Sequence, residues 1–337
     1  MPFKFDVSVA DSANKSLMAR FETMLITSPS PPSSPPSESP DAVQVGGLFD
    51  TIHNTGRLFI LVRTENTATT HAFLDALQRK FELYLKLRLV RFQGAAPGDL
   101  VASLELQKVR VDSFQPLDHR AFVASLTSIE GLKDQVGTAD IDPALKFVVR
   151  VYTQKETAIP GQFPGTSQPG ATSVDDELAL SFDTHKIDGR DWSGEPVVNE
   201  VHAGYLFQRI RSQKYASVMV GEGPDALTGQ AGLLFLDAQR NHQLLDIEIS
   251  LVRDYTTTTY EFTQRDDPDS QGPNFYKPQP LVVPKITPHT TRHIYERARV
   301  RLDDADVESY RPDKDSRSFV ASFKAGLVRE TDNDREP

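Results

Sequence analysis

The stretch Leu83-Tyr-Leu-Lys-Leu-Arg-Leu-Val90 places a leucine at every second position. Successive side chains of a β-strand point to opposite faces, so this pattern predicts a strand with one face buried and the other in water. A second stretch, Leu245-Asp-Ile-Glu-Ile-Ser-Leu-Val252, has the same period. Because strict alternation is typical of antiparallel sheets, both stretches favour an antiparallel β protein.

Shorter segments of β character occur along the rest of the chain, whereas helical spacing is confined to residues 70–80, residues 118–132 and a weaker case at 290–299. We therefore predict a mainly β fold, an antiparallel β-sandwich or jelly-roll-like body with two or three helical insertions. No internal repeat of fixed period is evident. The further β segments are residues 58–62, 104–111, 147–151, 178–182, 217–220, 233–236, 257–262 and 319–323.

Residues 27–41 consist largely of serine and proline, which predicts an extended, polyproline-like linker. A second stretch rich in glycine and proline, residues 158–171, divides the following sequence into two blocks. The predicted organisation is an N-terminal arm (1–26), a Pro/Ser-rich linker (27–45), a β-rich body (46–330, with sub-blocks 46–155 and 174–330) and a flexible tail (331–337).

The predicted arm carries apolar residues that have no obvious partner across a stiff linker. We expect them to be buried on another subunit, because that contact would remove exposed hydrophobic surface from water. The partners expected are other copies of the chain or other subunits of a large assembly. The interface residues of the arm would be Phe3, Phe5, Val7 and Val9.

Composition limits the classes of function. The chain of 337 residues has 47 acidic and 37 basic residues, a formal net charge of −10, which disfavours sequence-specific nucleic-acid binding through a basic patch. With no cysteine there are no disulfides, thiol nucleophiles or thiolate metal sites. The N-terminus lacks the order of a secretory signal and no apolar run could span a bilayer, so we expect a soluble protein without membrane contact.

The richest polar cluster is Asp183, His185, Asp188 and Asp191, directly after a predicted strand. Three carboxylates and an imidazole could hold a divalent cation or perform general acid–base catalysis. The spacing matches neither an EF-hand nor the His-Glu-x-x-His zinc motif. The alternative is a solvated turn in which the aspartates cap the backbone, and we expect neither a metal nor a cofactor here.

Two other motifs have weaker chemical content. His289 and His293 would share one face of a helix and could both bind zinc, but we favour the alternative of two partly exposed histidines near an element boundary. The glycine-rich segment 221–232 lacks the Gly-Lys-Ser/Thr of a phosphate loop. We predict that it connects two antiparallel strands.

Three classes of function remain. The first is a structural, self-assembling protein, such as a viral coat subunit or a fixed component of a large complex, placed in a virion in the first case and otherwise in the cytoplasm. The second is an enzyme of hydrolase type, metal-assisted or not, that uses the cluster at 183–191. The third is a module that binds glycans or proteins through exposed aromatics, among which Trp192, Tyr205, Phe207 and Tyr215 are the candidates. We expect the structural role rather than catalysis.

Overall fold

The structure is a computed structural model. Across the described residues the chain is mainly β, with two antiparallel sheets and four helices. This confirms the predicted fold class of a β-sandwich-like body with a few helical insertions. The described residues are 3–34, 39–91, 100–118, 120–136, 142–158, 172–221, 225–263, 285–312 and 318–330.

The first half of the chain, which we call unit 1, forms one seven-stranded sheet with two helices. Its elements in chain order are β1 (Phe3–Asp11), β2 (Leu17–Thr23), β3 (Ile26–Thr27), α1 (Ala42–Thr55), β4 (Arg57–Arg63), α2 (Thr67–Arg79), β5 (Leu83–Arg91), β6 (Leu100–Asp118) and β7 (Ala121–Val136). The strands lie in the order β2-β1-β5-β6-β7-β4-β3.

The second half, unit 2, forms an eight-stranded sheet with two helices. Its elements are β8 (Leu145–Ala158), β9 (Thr172–Thr184), β10 (Ile187–Asp188), α3 (Glu200–Gln213), β11 (Tyr215–Val220), α4 (Asp225–Asn241), β12 (Leu245–Thr263), β13 (Lys285–Pro312), β14 (Phe319–Lys324) and β15 (Leu327–Glu330). The strands lie in the order β9-β8-β12-β13-β14-β11-β10, and β15 pairs with β13.

The two units are structural repeats. Each begins with three strands, continues with helix, strand and helix, and ends with further long strands, and the strand order is the same in both sheets. The strands β14 and β15 together take the place of β7, because both pair with β13 as β7 pairs with β6. Equivalent residues, such as Phe5 with Phe147 and Phe122 with Phe319, are not separated by a constant number of positions, so the absence of a fixed sequence period did not reveal this repeat.

Local irregularities of the two sheets coincide as well. A bulge at residues 83–85 of β5 corresponds to one at residues 245–247 of β12. In each case the extra residue lies on the neighbouring strand, where Lys108 and Asp304 adopt positive φ angles of 49° and 52°. Bulges are local features that a plain sheet does not require. Two more pairs correspond, at 9–10 with 151–152 and at 111–113 with 307–309.

The units meet through α1 and α3, which pack against each other. Each helix also covers its own sheet, since Phe49 is buried in the core of unit 1 and Phe207 in the core of unit 2. At the crossing, Val43 of α1 lies in the core of unit 2 and Val201 of α3 lies in the core of unit 1. The helix pair therefore joins two hydrophobic cores.

The predicted N-terminal arm is wrong for the residues that the structure describes. The strand β1 lies inside the sheet of unit 1, paired with β2 on one side and β5 on the other. Phe5, Val7 and Val9 are at most 1 % exposed, and Phe3 packs at the margin of the same core. These side chains looked partnerless in the sequence because their partners are the leucines of β5, about eighty residues away.

The helix predicted at 118–132 is also wrong, because these residues form the end of β6 and most of β7. Ala124 and Leu126 face the main core, while Val123 faces a separate apolar cluster with Phe59 and Leu61 on the other side of the sheet. A strand that is apolar on both faces loses its alternation and resembles a buried helix. The helix predicted at 70–80 is confirmed as α2, whereas residues 290–299 belong to β13.

The predicted division of the chain differs from the observed one. Within the predicted linker 27–45, α1 begins at Ala42, and the Asp41 side chain caps it by accepting from the amides of Val43 and Gln44. The stretch 159–171 lies outside the described residues, but β8 and β9 on either side of it pair with each other. The predicted boundary therefore falls between two paired strands of unit 2. The predicted tail, 331–337, also lies outside the described residues.

Candidate interaction surface

The strands β12 and β13 continue beyond the sheet of unit 2. The neighbour of β12 on its other side, β8, ends its pairing at Leu145 opposite Arg253, while β12 and β13 remain paired as far as Thr263 and Lys285. We call residues 254–263 and 285–295 the ribbon. At about 3.3 Å per residue, the ten residues of its first strand extend roughly 33 Å. In unit 1, β5 already ends at Arg91 and β6 begins at Leu100.

One face of the ribbon carries an aromatic stack. The ring of Tyr255 lies 5.2 Å from that of His293 and 5.9 Å from that of Tyr295, with interplanar angles of 25° and 21°. Thr257 Oγ1 lies 2.8 Å from His293 Nε2, a hydrogen bond that fixes the imidazole. The stack is open to solvent, because Tyr255 is 37 % and Tyr295 52 % exposed. The proximity of the Tyr295 hydroxyl raises the pKa of Tyr255.

The opposite face of the ribbon carries isolated apolar side chains. Ile294 is 56 % and Tyr260 61 % exposed, and the register places both on the side of the ribbon away from the stack. The threonines at 256–259 between them are exposed as well. Both faces of the ribbon are thus available for contact between Tyr255 and Tyr260.

An ion-pair cluster fixes the base of the ribbon. Lys146 Nζ lies 2.6 Å from Asp183 Oδ2 and 2.7 Å from Asp254 Oδ2, and Arg292 donates from Nε to Asp254 Oδ1 at 2.8 Å. Burial alone would lower the pKa of Lys146, but its hydrogen bonds to the two carboxylates outweigh this and raise it. The bonds from Arg292 and Lys146 hold the pKa of Asp254 well below its usual range. The cluster therefore ties the ribbon to β8 and β9.

The four residues of the predicted Asp/His cluster do not converge. Asp183 is bound by Lys146, and the repeat shows the same ion pair in unit 1, where Lys4 Nζ lies 2.7 Å from Glu22 Oε1. This pair is a feature of the fold that both units share. The backbone carbonyl of His185 accepts a hydrogen bond from the amide of Val197, which holds the segment before α3.

Asp188 and Asp191 form ion pairs with the same guanidinium group. Arg209 contacts Asp188 Oδ1 at 3.2 Å and Asp191 Oδ2 at 3.4 Å. Asp188 is buried and also accepts from the amides of Gly189 and Ser193, so it closes the turn that follows β10. Within the described residues, no three histidine or carboxylate side chains are arranged to hold a metal ion. The geometry is that of a capped turn.

The other sequence candidates are distributed differently from the prediction. Phe207 is buried against Phe147, and Tyr215 is buried beneath the guanidinium of Arg190 at 5.5 Å. Trp192 and Tyr205 are partly buried, so these aromatics do not form one exposed face. His289 and His293 lie on a strand of the ribbon and not on a helix. The segment predicted as a loop and strand, 221–236, contains most of α4.

A groove of about 1120 Å³ opens in unit 1 between the start of β1, the end of β2, the N-terminus of α2 and the turn after β6. Its apolar lining includes Phe3, Phe21, Met24, Leu61 and Leu117. Charged groups at its margin are paired within the chain, as Lys4 with Glu22 and Arg63 with Glu65. The groove could not be predicted from the sequence, because its walls come from four separate segments of the chain.

The chain gives no match among protein-family models, curated proteins or solved structures. In the part of the chain that the structure describes, no helix has the length and apolar character needed to cross a bilayer. The ribbon is the surface that sequence reasoning missed. The sequence feature that marks the ribbon is the run of four threonines between Tyr255 and Tyr260, but such a run is equally typical of a strand inside a sheet.

Proposed function

We propose that this chain is a structural building block of a larger assembly, of the kind that a viral coat subunit represents, and that the ribbon makes the contact between copies. The observation that carries the proposal is the exposure of Tyr255, Tyr260, Ile294 and Tyr295 on a projecting ribbon. A two-stranded hairpin is at best marginally stable alone in water. A partner that covers it would bury apolar surface and pair its strand edges.

The charge distribution permits a second copy of the chain as that partner. Each copy has a net charge of −10, so copies repel one another except where a surface is locally neutral. The ribbon is such a surface, because its Asp, Glu, Lys and Arg residues are two acidic and two basic ones. These are Asp254, Glu261, Lys285 and Arg292.

The test replaces residues 254–294 by Asn-Gly, which joins Arg253 to Tyr295 across a type I′ turn. These two residues are register partners at the base of the ribbon, so the sheet should be unaffected. Size-exclusion chromatography with light scattering over a concentration series should show that the full chain forms higher oligomers and that the ribbonless variant stays monomeric.

A double substitution tests the same surface without removing the ribbon. Tyr255→Ser with Tyr295→Ser should weaken association by about tenfold or more, since aromatic side chains dominate the energy of interfaces. Leu17→Ser, which changes a side chain that is 65 % exposed in unit 1, is the matched control and should leave assembly unchanged. A full chain that remains monomeric at high concentration, or a ribbonless variant that assembles equally well, would refute the proposal.

The groove in unit 1 favours a second candidate, a module that binds a ligand or peptide. Its volume is close to that of small-molecule sites, and apolar side chains share its lining with polar and charged ones. The ribbonless variant separates the two candidates, because it removes the ribbon and leaves every residue of the groove in place.

A further inference from the structure

We infer that the chain is a covalently joined dimer of two like units, and that α1 and α3 form a self-complementary surface through which unit 1 and unit 2 pair as two copies of one unit would. This inference does not depend on the ribbon. It rests on the correspondence between the units and on the reciprocal geometry of the helix contact.

The correspondence extends from topology to individual side chains. In unit 1, Thr23 accepts from the Leu25 amide at 3.2 Å and donates to the Leu25 carbonyl at 3.4 Å. In unit 2, Thr184 does the same with Lys186 at 3.2 and 3.3 Å. These bonds stabilise the turn between two strands that pair with different neighbours. In unit 1, β2 pairs with β1 and β3 with β4, and in unit 2, β9 pairs with β8 and β10 with β11. Two unrelated sheets would have no reason to share this turn.

Equivalent positions also carry the same or similar residues. The clearest stretch is Phe-Val-Ala-Ser, at residues 122–125 of β7 and 319–322 of β14, which occupies the same register against β4 and β11. The buried face of β1 is repeated in β8, where Phe147, Val149 and Val151 take the places of Phe5, Val7 and Val9.

The helix contact is reciprocal. A Cβ on Gly46 of α1 would lie 1.9 Å from the carbonyl oxygen of Val201, and a Cβ on Gly204 of α3 would lie 1.9 Å from that of Val43. Each glycine therefore meets the backbone of the other helix at the equivalent point. In a twofold interface, residue i of one copy contacts j of the other while j contacts i, and these four residues satisfy that condition.

The two helices also begin and end in equivalent ways. Asp41 and Asn199 cap the N-termini through their side chains. At the C-termini, Gly56 and Lys214 adopt left-handed conformations and donate their amides to Ile52 and Ile210. The two helices thus have the same length, caps of the same geometry and a glycine at the same position of the crossing. The ribbon breaks the symmetry, because it is present only in unit 2 of the described chain.

The test uses the full chain with a protease recognition sequence in place of residues 137–141, between Val136 of unit 1 and Asp142. After cleavage the two fragments should elute together with an unchanged circular dichroism spectrum, because a self-complementary surface needs no covalent link. Fragments that separate at micromolar concentration or precipitate after cleavage would overturn the inference.

Glycine variants in the cleavable chain test the reciprocity. Gly46→Ala and Gly204→Ala should each weaken the pairing of the fragments by a similar factor, about tenfold or more, since each adds the same overlap from opposite sides. Gly47→Ala is the control, because its nearest neighbour would lie at an ordinary 3.7 Å. A large effect of one glycine and none of the other, or an equal effect of Gly47→Ala, would contradict a self-complementary surface.

Discussion

His202 shows how a single residue distinguishes the two units. Burial lowers the pKa of His202 and outweighs the opposite effects of Glu195 and Asp188. Its Nδ1 accepts a hydrogen bond from the amide of Val198 at 3.4 Å, which requires the neutral imidazole. The equivalent position after the cap of α1 is Gln44, which cannot titrate.

We expect acidification to weaken the fold through this residue. The unfolded chain binds the proton near pH 6.5 and the folded chain only at lower pH, so the stability that His202 contributes is complete above about pH 6.5 and is lost as pH falls below it. His202→Gln should reduce the change in the urea midpoint between pH 7.5 and 5.5. The exposed control His71→Gln should not. Equal pH dependence in both variants would show that His202 is not responsible.

At the scale of elements, the strand β1 gives the sharpest contrast between sequence and structure. It lies between β2 and β5 and its inner side chains are buried. Deleting residues 1–27 would therefore expose the leucines of β5 and the core of unit 1. The expected result is loss of soluble, folded protein, measured by expression and far-ultraviolet circular dichroism. Deleting the tail 331–337 is the control. A folded, soluble protein after the first deletion would restore the hypothesis of a separate arm.

The strands that could be predicted are those with one polar face. The two stretches at 83–90 and 245–252 alternate because one side of each strand carries polar side chains. These are half-buried in the first stretch, whereas in the second Glu248 and Asp246 are buried in ion pairs with arginines of neighbouring strands. The two stretches prove to be equivalent strands of the two units. β7 could not be predicted, since an apolar cluster covers its outer face. The helices α1 and α3 were missed because each has a glycine as its fifth residue. Sequence rules penalise glycine inside a helix, but the helix crossing requires it here.

The candidate site was less predictable than the fold. The carboxylates at 183–191 form a cluster in the sequence, but their ion-pair partners lie outside it. Lys146 pairs with Asp183, and Arg209 pairs with Asp188. Ion pairing of this kind is invisible without the register of the sheet. The ribbon was hidden for the opposite reason, because a strand in a sheet interior and a strand in a projecting ribbon share the same β-branched and aromatic composition.

At the scale of the whole molecule, the repeat predicts how the chain unfolds. Phe5 and Phe147 occupy equivalent positions in β1 and β8 and are 1 % and 0 % exposed. Replacing either by alanine removes a buried aromatic ring and should cost about 3–5 kcal/mol. Because Val43 and Val201 each complete the core of the other unit, neither unit retains an intact core once the other unfolds.

We therefore expect a single cooperative transition in urea, followed by circular dichroism and by the fluorescence of Trp192 in unit 2. Phe5→Ala and Phe147→Ala should lower its midpoint by similar amounts, and both probes should report the same transition. Phe3→Ala, at the partly buried margin of the core, serves as the control and should have a smaller effect. Two separate transitions, with Phe5→Ala leaving the fluorescence transition of unit 2 in place, would show that the helix contact does not couple the units.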